Sequence, residues 1–281
     1  RIMGPTGCGK STLILNMLPL GAHQRPETSN RFQSCTQNVQ HYVMDIPEAI
    51  LSSQPALQRR RIILVDTPGF DDSQASDYEI LRRVAVWVAS SYALDIRIGA
   101  VIYVYPIFPG RVTHNDTTNL EIFSKMCGDN ALSRVILSTS KWDMFPNDQE
   151  TLSEREAELR SSFWKSLVDR GAVMKRVEKN REAASNLLAS ILKRILEAER
   201  GPQDDFKGAT LLLQKQLLLK GRDLPKTAAA QELKKKLETF LVEMETSPSD
   251  SEAVRGKARE LVRQINSLKI SFFDRVKLLF D

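Results

Sequence analysis

The chain has 281 residues, 42% hydrophobic and 27% charged, with a formal net charge of +5. That length suits one α/β domain of ~200 residues with an extension, and the composition excludes a fibrous repeat and global disorder. The positive charge is mild and dispersed. Arg59-Arg60-Arg61 and Lys234-Lys235-Lys236 have no aromatic residues among them and read as solvated faces, so nucleic acid is not an expected partner.

Cys8, Cys35 and Cys127 form no paired framework, which points to a reducing, cytoplasmic compartment. The longest largely apolar stretch, 98–110, holds Pro106 and Pro109 and falls short of the ~18 to 20 residues of a membrane span. No secretory signal is visible. His23, His41 and His114 lack metal-ligand spacing.

Only Arg1 to Met3 precede the first glycine-rich loop, where a buried strand of ~5 residues is expected, so part of an amino-terminal strand is taken to lie upstream. Gly4-x-x-x-x-Gly9-Lys10-Ser11 then runs into a helix at Lys10–Leu18. In this context the pattern is a phosphate loop: glycines turn successive N–H groups inward, and the helix N-terminus adds its positive dipole end. Its nucleotide-binding set is Gly4, Thr6, Gly7, Cys8, Gly9, Lys10, Ser11 and Thr12. Lys10 reaches the β- and γ-phosphates, and Ser11 offers a hydroxyl to Mg2+.

Strands are predicted at Val39–Ile46, Arg61–Asp66, Gly99–Tyr105 and Arg134–Thr139, with a weak one at Ala172–Val177. Helices are predicted near Asp77–Ser91, Asp116–Cys127, Asp148–Val168 and Ser185–Glu199, the first opened by the capping box Ser76-x-x-Glu79. This alternation is the signature of an α/β fold with a mostly parallel sheet, a P-loop NTPase three-layer architecture, over residues 1–200.

The second strand ends in Asp66-Thr67-Pro68-Gly69. A carboxylate there can hold a Mg2+-bound water, and the Gly69 N–H can meet the γ-phosphate. The fourth strand delivers "TSKWD", with Ser140, Lys141 and Asp143 standing where GTPases carry N-K-x-D. Asp143 can accept two hydrogen bonds from the guanine edge, and a buried, unpaired Asp143 opposes adenine, so GTP/GDP with Mg2+ are the expected cofactors. Ser140 departs from asparagine and loses the amide that steadies this loop.

Residues 201–281 read as a helical extension. Helix over 206–244, the "TSPSD" connection and helix over 252–280 make a hairpin. Leu233, Leu237, Phe240 and Met244, and Val254, Ala258, Leu261, Ile265, Leu268 and Phe272, form seams suited to a coiled coil. The terminal "SLKISFFDRVKLLF" is amphipathic; burial in the hairpin is favoured over peripheral membrane contact.

With "GPTGCGKST", "DTPGF" and "TSKWD" in this order, the chain resembles septin-like (TRAFAC class) P-loop GTPases, above all the immunity-associated nucleotide-binding proteins and the chloroplast outer-envelope import receptors. The resemblance spans Arg1 to Glu199, and "PGRVTHND" resembles their G-R-x-T segment. It implies Mg·GTP binding and homodimers formed across the nucleotide face. It also implies a mobile segment between Leu20 and Gln37, with Thr36 closing on Mg2+ and the γ-phosphate and Thr28 as runner-up. The metal set is then Ser11, Thr36 and Asp66. Phe70 follows Gly69, where fast-switching GTPases carry a glutamine. Hydrolysis by one chain is therefore expected to be slow. Arg111 resembles the arginine such proteins insert across the dimer; a solvated arginine at a strand end is the equal alternative. The catalytic set is Lys10, Thr36, Gly69 and Arg111. The small-residue motif expected before the last helix has no clear counterpart in "REAASNLL". Against this assembly switch stand a nucleotide-binding scaffold without turnover and an ATP-using P-loop enzyme.

Overall fold

The computed structural model describes residues 1–26, 39–69, 77–93, 98–108, 112–199, 211–219 and 224–245. Strands β1 (Ile2–Met3), β2 (Gln40–Asp45), β3 (Arg61–Asp66), β4 (Val101–Pro106), β5 (Val135–Ser140) and β6 (Val173–Arg176) form one six-stranded sheet in the order β2-β3-β1-β4-β5-β6. Every neighbouring pair is parallel except β2 with β3. The helices are α1 (Lys10–Met17), α2 (Glu48–Ser53), α3 (Asp77–Ala93), α4 (His114–Cys127), α5 (Gln149–Glu158), α6 (Lys165–Asp169), α7 (Arg181–Glu199), α8 (Leu212–Gln214) and α9 (Ala228–Glu245). The weakly predicted strand is present as β6, parallel to β5.

Contacts group the chain into two compact units, neither one continuous stretch. The first covers residues 1–74, 97–112 and 130–210 and contains the whole sheet with α1, α2, α5, α6 and α7. All six residues of β5 are buried, as parallel strands require. Leu13, Ile14 and Met17 of α1 and Leu187, Leu188, Ile191 and Leu192 of α7 repeat at helical spacing. They share one apolar cluster with Tyr42, Met44, Leu64, Ile102, Val104 and Ile136. Each fully buried leucine or isoleucine there contributes roughly 1.5 to 3 kcal/mol.

The single helix predicted over 148–168 is interrupted by a π-helical turn at Leu159–Phe163 between α5 and α6. The cause is the spacing of the buried residues. Leu159 and Trp164 are five apart, which an α-helix would put on different faces, whereas the turn, closed by Trp164 N–H donating to the Leu159 carbonyl at 2.7 Å, buries both. Trp164 then meets Tyr105 edge to face at 6.2 Å.

The second unit covers residues 75–96, 113–129 and 211–281. In it α8 and α9 pack on α3 and α4. The first arm of the predicted hairpin is therefore not one helix. It is α8 with a π-helical turn Lys215–Leu219, a 3-10 turn Leu224–Lys226 and then α9. Pro225 lies in the 3-10 turn, and Thr227 restarts the helix, its hydroxyl accepting from Ala230 N–H at 3.3 Å. Gln214 accepts from Leu211 N–H and donates to the Val88 carbonyl of α3, both at 3.0 Å. Gln216 accepts from Ala228 N–H at 2.9 Å, and buried Lys236 donates to Asn119 of α4 at 3.1 Å. Leu233 and Leu237 of the apolar seam are buried. The second arm of the hairpin lies outside the described residues, as does Ser76; the Glu79 carboxylate binds Arg82 and Arg83 within α3. Helix α4 starts at His114, ahead of the predicted Asp116, because Thr113 and Asp116 form a reciprocal capping box.

Candidate functional site

Three loops leave the sheet at the carboxyl ends of β1, β3 and β5, the edge at which open α/β sheets hold ligands. In the first, Gly4, Gly7 and Gly9 take φ of 140°, 74° and 101°. A Cβ at position 4 would lie 2.1 Å from the Val104 carbonyl oxygen, so only glycine lets the loop leave β1 against β4. No side chain caps α1, whose first-turn N–H groups and positive dipole end suit an anion. Lys10, 6% exposed, curls over the loop and donates to the carbonyls of Gly4 at 3.1 Å and Pro5 at 2.8 Å. Thr6 and Gly7 complete the loop, and Thr12 lies in the first turn of α1 with Lys10 and Ser11. Cys8 is fully buried, and burial pushes its thiol pKa up, so the group packs as a neutral atom and is no nucleophile.

The second loop is joined to the first. Ser11 Oγ donates to Asp66 Oδ2 at 2.6 Å, and Asp66 is fully buried. Thr67 Oγ1 donates to the Ile2 carbonyl at 2.9 Å, fixing the end of β3 to β1. At Gly69 a Cβ would lie 2.4 Å from Thr6 Oγ1 and 2.5 Å from Thr6 N, so the loop after β3 rests directly on the phosphate loop. Thr67 was read only as part of D-T-P-G; no local pattern signals its tie to β1.

The third loop corrects two expectations. Ser140 does not leave the loop unsteadied: its hydroxyl donates to the Cys8 carbonyl at 2.7 Å and reaches the Tyr105 carbonyl at 3.3 Å. Asp143 is not buried; it stands exposed in the 3-10 turn Trp142–Met144. Lys141 enters that turn with φ 64°, a left-handed backbone that costs on the order of 1 kcal/mol in a residue other than glycine.

What holds that backbone was missed from the sequence. Buried Trp142 donates to Thr139 Oγ1 at 3.1 Å and lies under the Arg176 guanidinium at 4.1 Å. Glu156 accepts from Thr139 Oγ1 at 2.9 Å and from Arg176 at 2.6 Å. An indole between Lys141 and Asp143 was the one visible signal of a fixed turn. Thr36, its runner-up Thr28, and Arg111 lie outside the described residues.

A glycine cradle with an ammonium at its centre suits phosphates. A serine hydroxyl against a buried carboxylate supplies the hard oxygens Mg2+ takes. The fold is that of a P-loop GTPase. Residues 1–126 match the profile of the 50S ribosome-binding GTPase family. Among solved GTPase structures, Toc33 from Arabidopsis thaliana in complex with GDP and Mg2+ superposes with a TM-score of 0.51 at 15% identity, over 69% of this chain and 81% of that one. Toc33 with Mg2+ and GMPPNP gives 0.51 at 15% identity, over 69% and 82%. A third GTPase structure, described in a study of dimerisation and activity in the chloroplast translocon components atToc33 and psToc159, gives 0.54 at 15% identity, over 72% and 83%. No curated protein matches the chain.

Proposed function

We propose that this chain binds GTP and GDP with Mg2+ and hydrolyses GTP slowly, as a nucleotide-controlled assembly switch whose G domains pair across the nucleotide face. The observation that carries the reading is the joining of the three loops, Ser11 to Asp66 and Ser140 to Cys8. In this reading the N–H groups of the loop and Lys10 hold the phosphates, and Gly69 N–H donates to the terminal one. Ser11, Asp66 and Thr36 hold Mg2+, which neutralises charge on the phosphate oxygens. Asp143 accepts from the two N–H donors of the guanine edge while the Lys141 stem lies along the ring. Because Asp143 is exposed in the protein, the base itself desolvates it. Adenine offers no donor pair there and is disfavoured by about 1 to 3 kcal/mol.

Phe70 offers no side chain to orient water, which supports slow turnover by one copy. Arg111 of a second copy supplies the missing positive charge, a contribution worth ~10³-fold or more where arginine fingers act. The deciding experiment identifies by mass the nucleotide that co-purifies, then measures turnover against protein concentration for the natural chain and Arg111→Ala. Guanine nucleotide and a concentration dependence that Arg111→Ala removes are expected. ATP bound as tightly as GTP would sink the reading. GTP that survives at high protein concentration with Mg2+ present would leave a scaffold without turnover, for which Phe70 is the one favouring observation.

A further inference from the structure

An open sheet has two edges, and this one treats them differently. The β6 edge is four residues long and ends in the exposed cations Lys175 and Arg176, the short charged build that blocks edge-to-edge pairing. The β2 edge is longer and carries no lysine or arginine. Its six residues pair with β3 in an unbroken antiparallel register from Gln40↔Asp66 to Asp45↔Arg61, with no bulge, proline, lysine or arginine in the strand. At its centre stands Val43, 48% exposed and one of few large exposed apolar side chains among the described residues. Among those residues β3 is its sole strand neighbour, and none of them forms a ladder on the far side of β2.

We infer that β2 is a self-association edge, taking the β2 of a second copy of this chain in antiparallel alignment about Val43. The sequence of the strand is self-complementary in that register. Val43 meets Val43, and the His41 imidazole of each copy meets the Asp45 carboxylate of the other, a donor against an acceptor on the same face of the sheet. Arg61, the cross-strand neighbour of Asp45 within each copy, adds a cation on the outer side of that carboxylate and Val65 backs His41. The alignment is isologous, so each favourable contact occurs twice. A single strand edge buries far less area than a stable dimer needs, so the association is weak. It uses no nucleotide, no Arg111 and none of the three site loops. It is thus a contact separate from pairing across the nucleotide face.

The test uses the full chain. Val43→Cys, oxidised with copper-phenanthroline, should give a covalent dimer on a non-reducing gel in GDP, in a GTP analogue and without nucleotide, and equally in an Arg111→Ala background. Leu20→Cys, at a residue 74% exposed, should give no more dimer than the natural chain with its own three cysteines. In sedimentation, His41→Asp should weaken association roughly tenfold by opposing two carboxylates, and the exchange His41→Asp with Asp45→His should restore it. Crosslinking of Val43→Cys no faster than of Leu20→Cys, or an exchange variant no tighter than His41→Asp alone, would overturn the inference. Either result leaves the nucleotide reading untouched.

Discussion

The two ends of the candidate site are made of different material. The phosphate end is built on backbone: three glycines at positive φ, with a lysine held by loop carbonyls and a serine bonded to a buried aspartate. The base end is side chain: an exposed carboxylate on a turn held by one left-handed residue, one hydroxyl and a stacked tryptophan. A backbone cradle accepts any polyphosphate. In the proposed reading, discrimination between nucleotides rests on the end that is easier to alter. Damage to the first end should cost affinity for every nucleotide, and damage to the second should cost only the preference.

The largest effect is expected from Gly4→Ala, which forces a Cβ to 2.1 Å from the Val104 carbonyl oxygen. A cost of ~3 kcal/mol or more should appear as a melting temperature lower by roughly 6 to 12 °C, read by calorimetry, with binding of all nucleotides lost. Lys10→Ala should weaken GDP and ATP alike by about 10- to 100-fold, measured by titration calorimetry. Asp143→Asn should do the opposite. GTP weakens by about 10- to 100-fold and the GTP-to-ATP ratio collapses; a ratio that stays put breaks the division between the ends. Ser140→Ala sharpens the comparison, because its partner is the Cys8 carbonyl. Both GTP and ATP should weaken by about 3- to 10-fold with the ratio unchanged, whereas a changed ratio would make the hydroxyl a reader of the base. Smallest is Glu156→Gln, which loosens Arg176 over Trp142 and should cost no more than about twofold in GTP affinity, since the Arg176 partner is half-exposed.

How far the sequence could be read follows the distance over which each feature is encoded. The glycine loop is local, its residues requiring positive φ within a few positions, and it was legible in full. The sheet was legible as runs of apolar residues, but not that β2 runs against β3. That direction is set by the connection through α2, in which nothing local fixes orientation. The mistaken single helix over 148–168 had the opposite cause. Leu159 and Trp164 each fit an apolar face, and only their common burial exposes the extra residue between them. Ser140 was read by comparison with asparagine and so judged by the amide it lacks, while its hydroxyl finds Cys8, 132 residues away in sequence. Thr113-x-x-Asp116 is a capping pattern written in the sequence, and Pro225 followed by Thr227 marks a helix restart.

The second unit has a consequence for how the chain is born. Helices α3 and α4 leave the ribosome early, with Ile80, Leu81, Val84, Ile122, Phe123 and Met126, all buried in the finished protein. Their partners in α8 and α9 are translated after the whole of the sheet. At about 5 to 20 residues per second, the early helices wait on the order of 10 s for the segments they pack against. During that interval their apolar faces are sticky surface, and a chaperone that shields them serves this chain more than one that waits for the sheet.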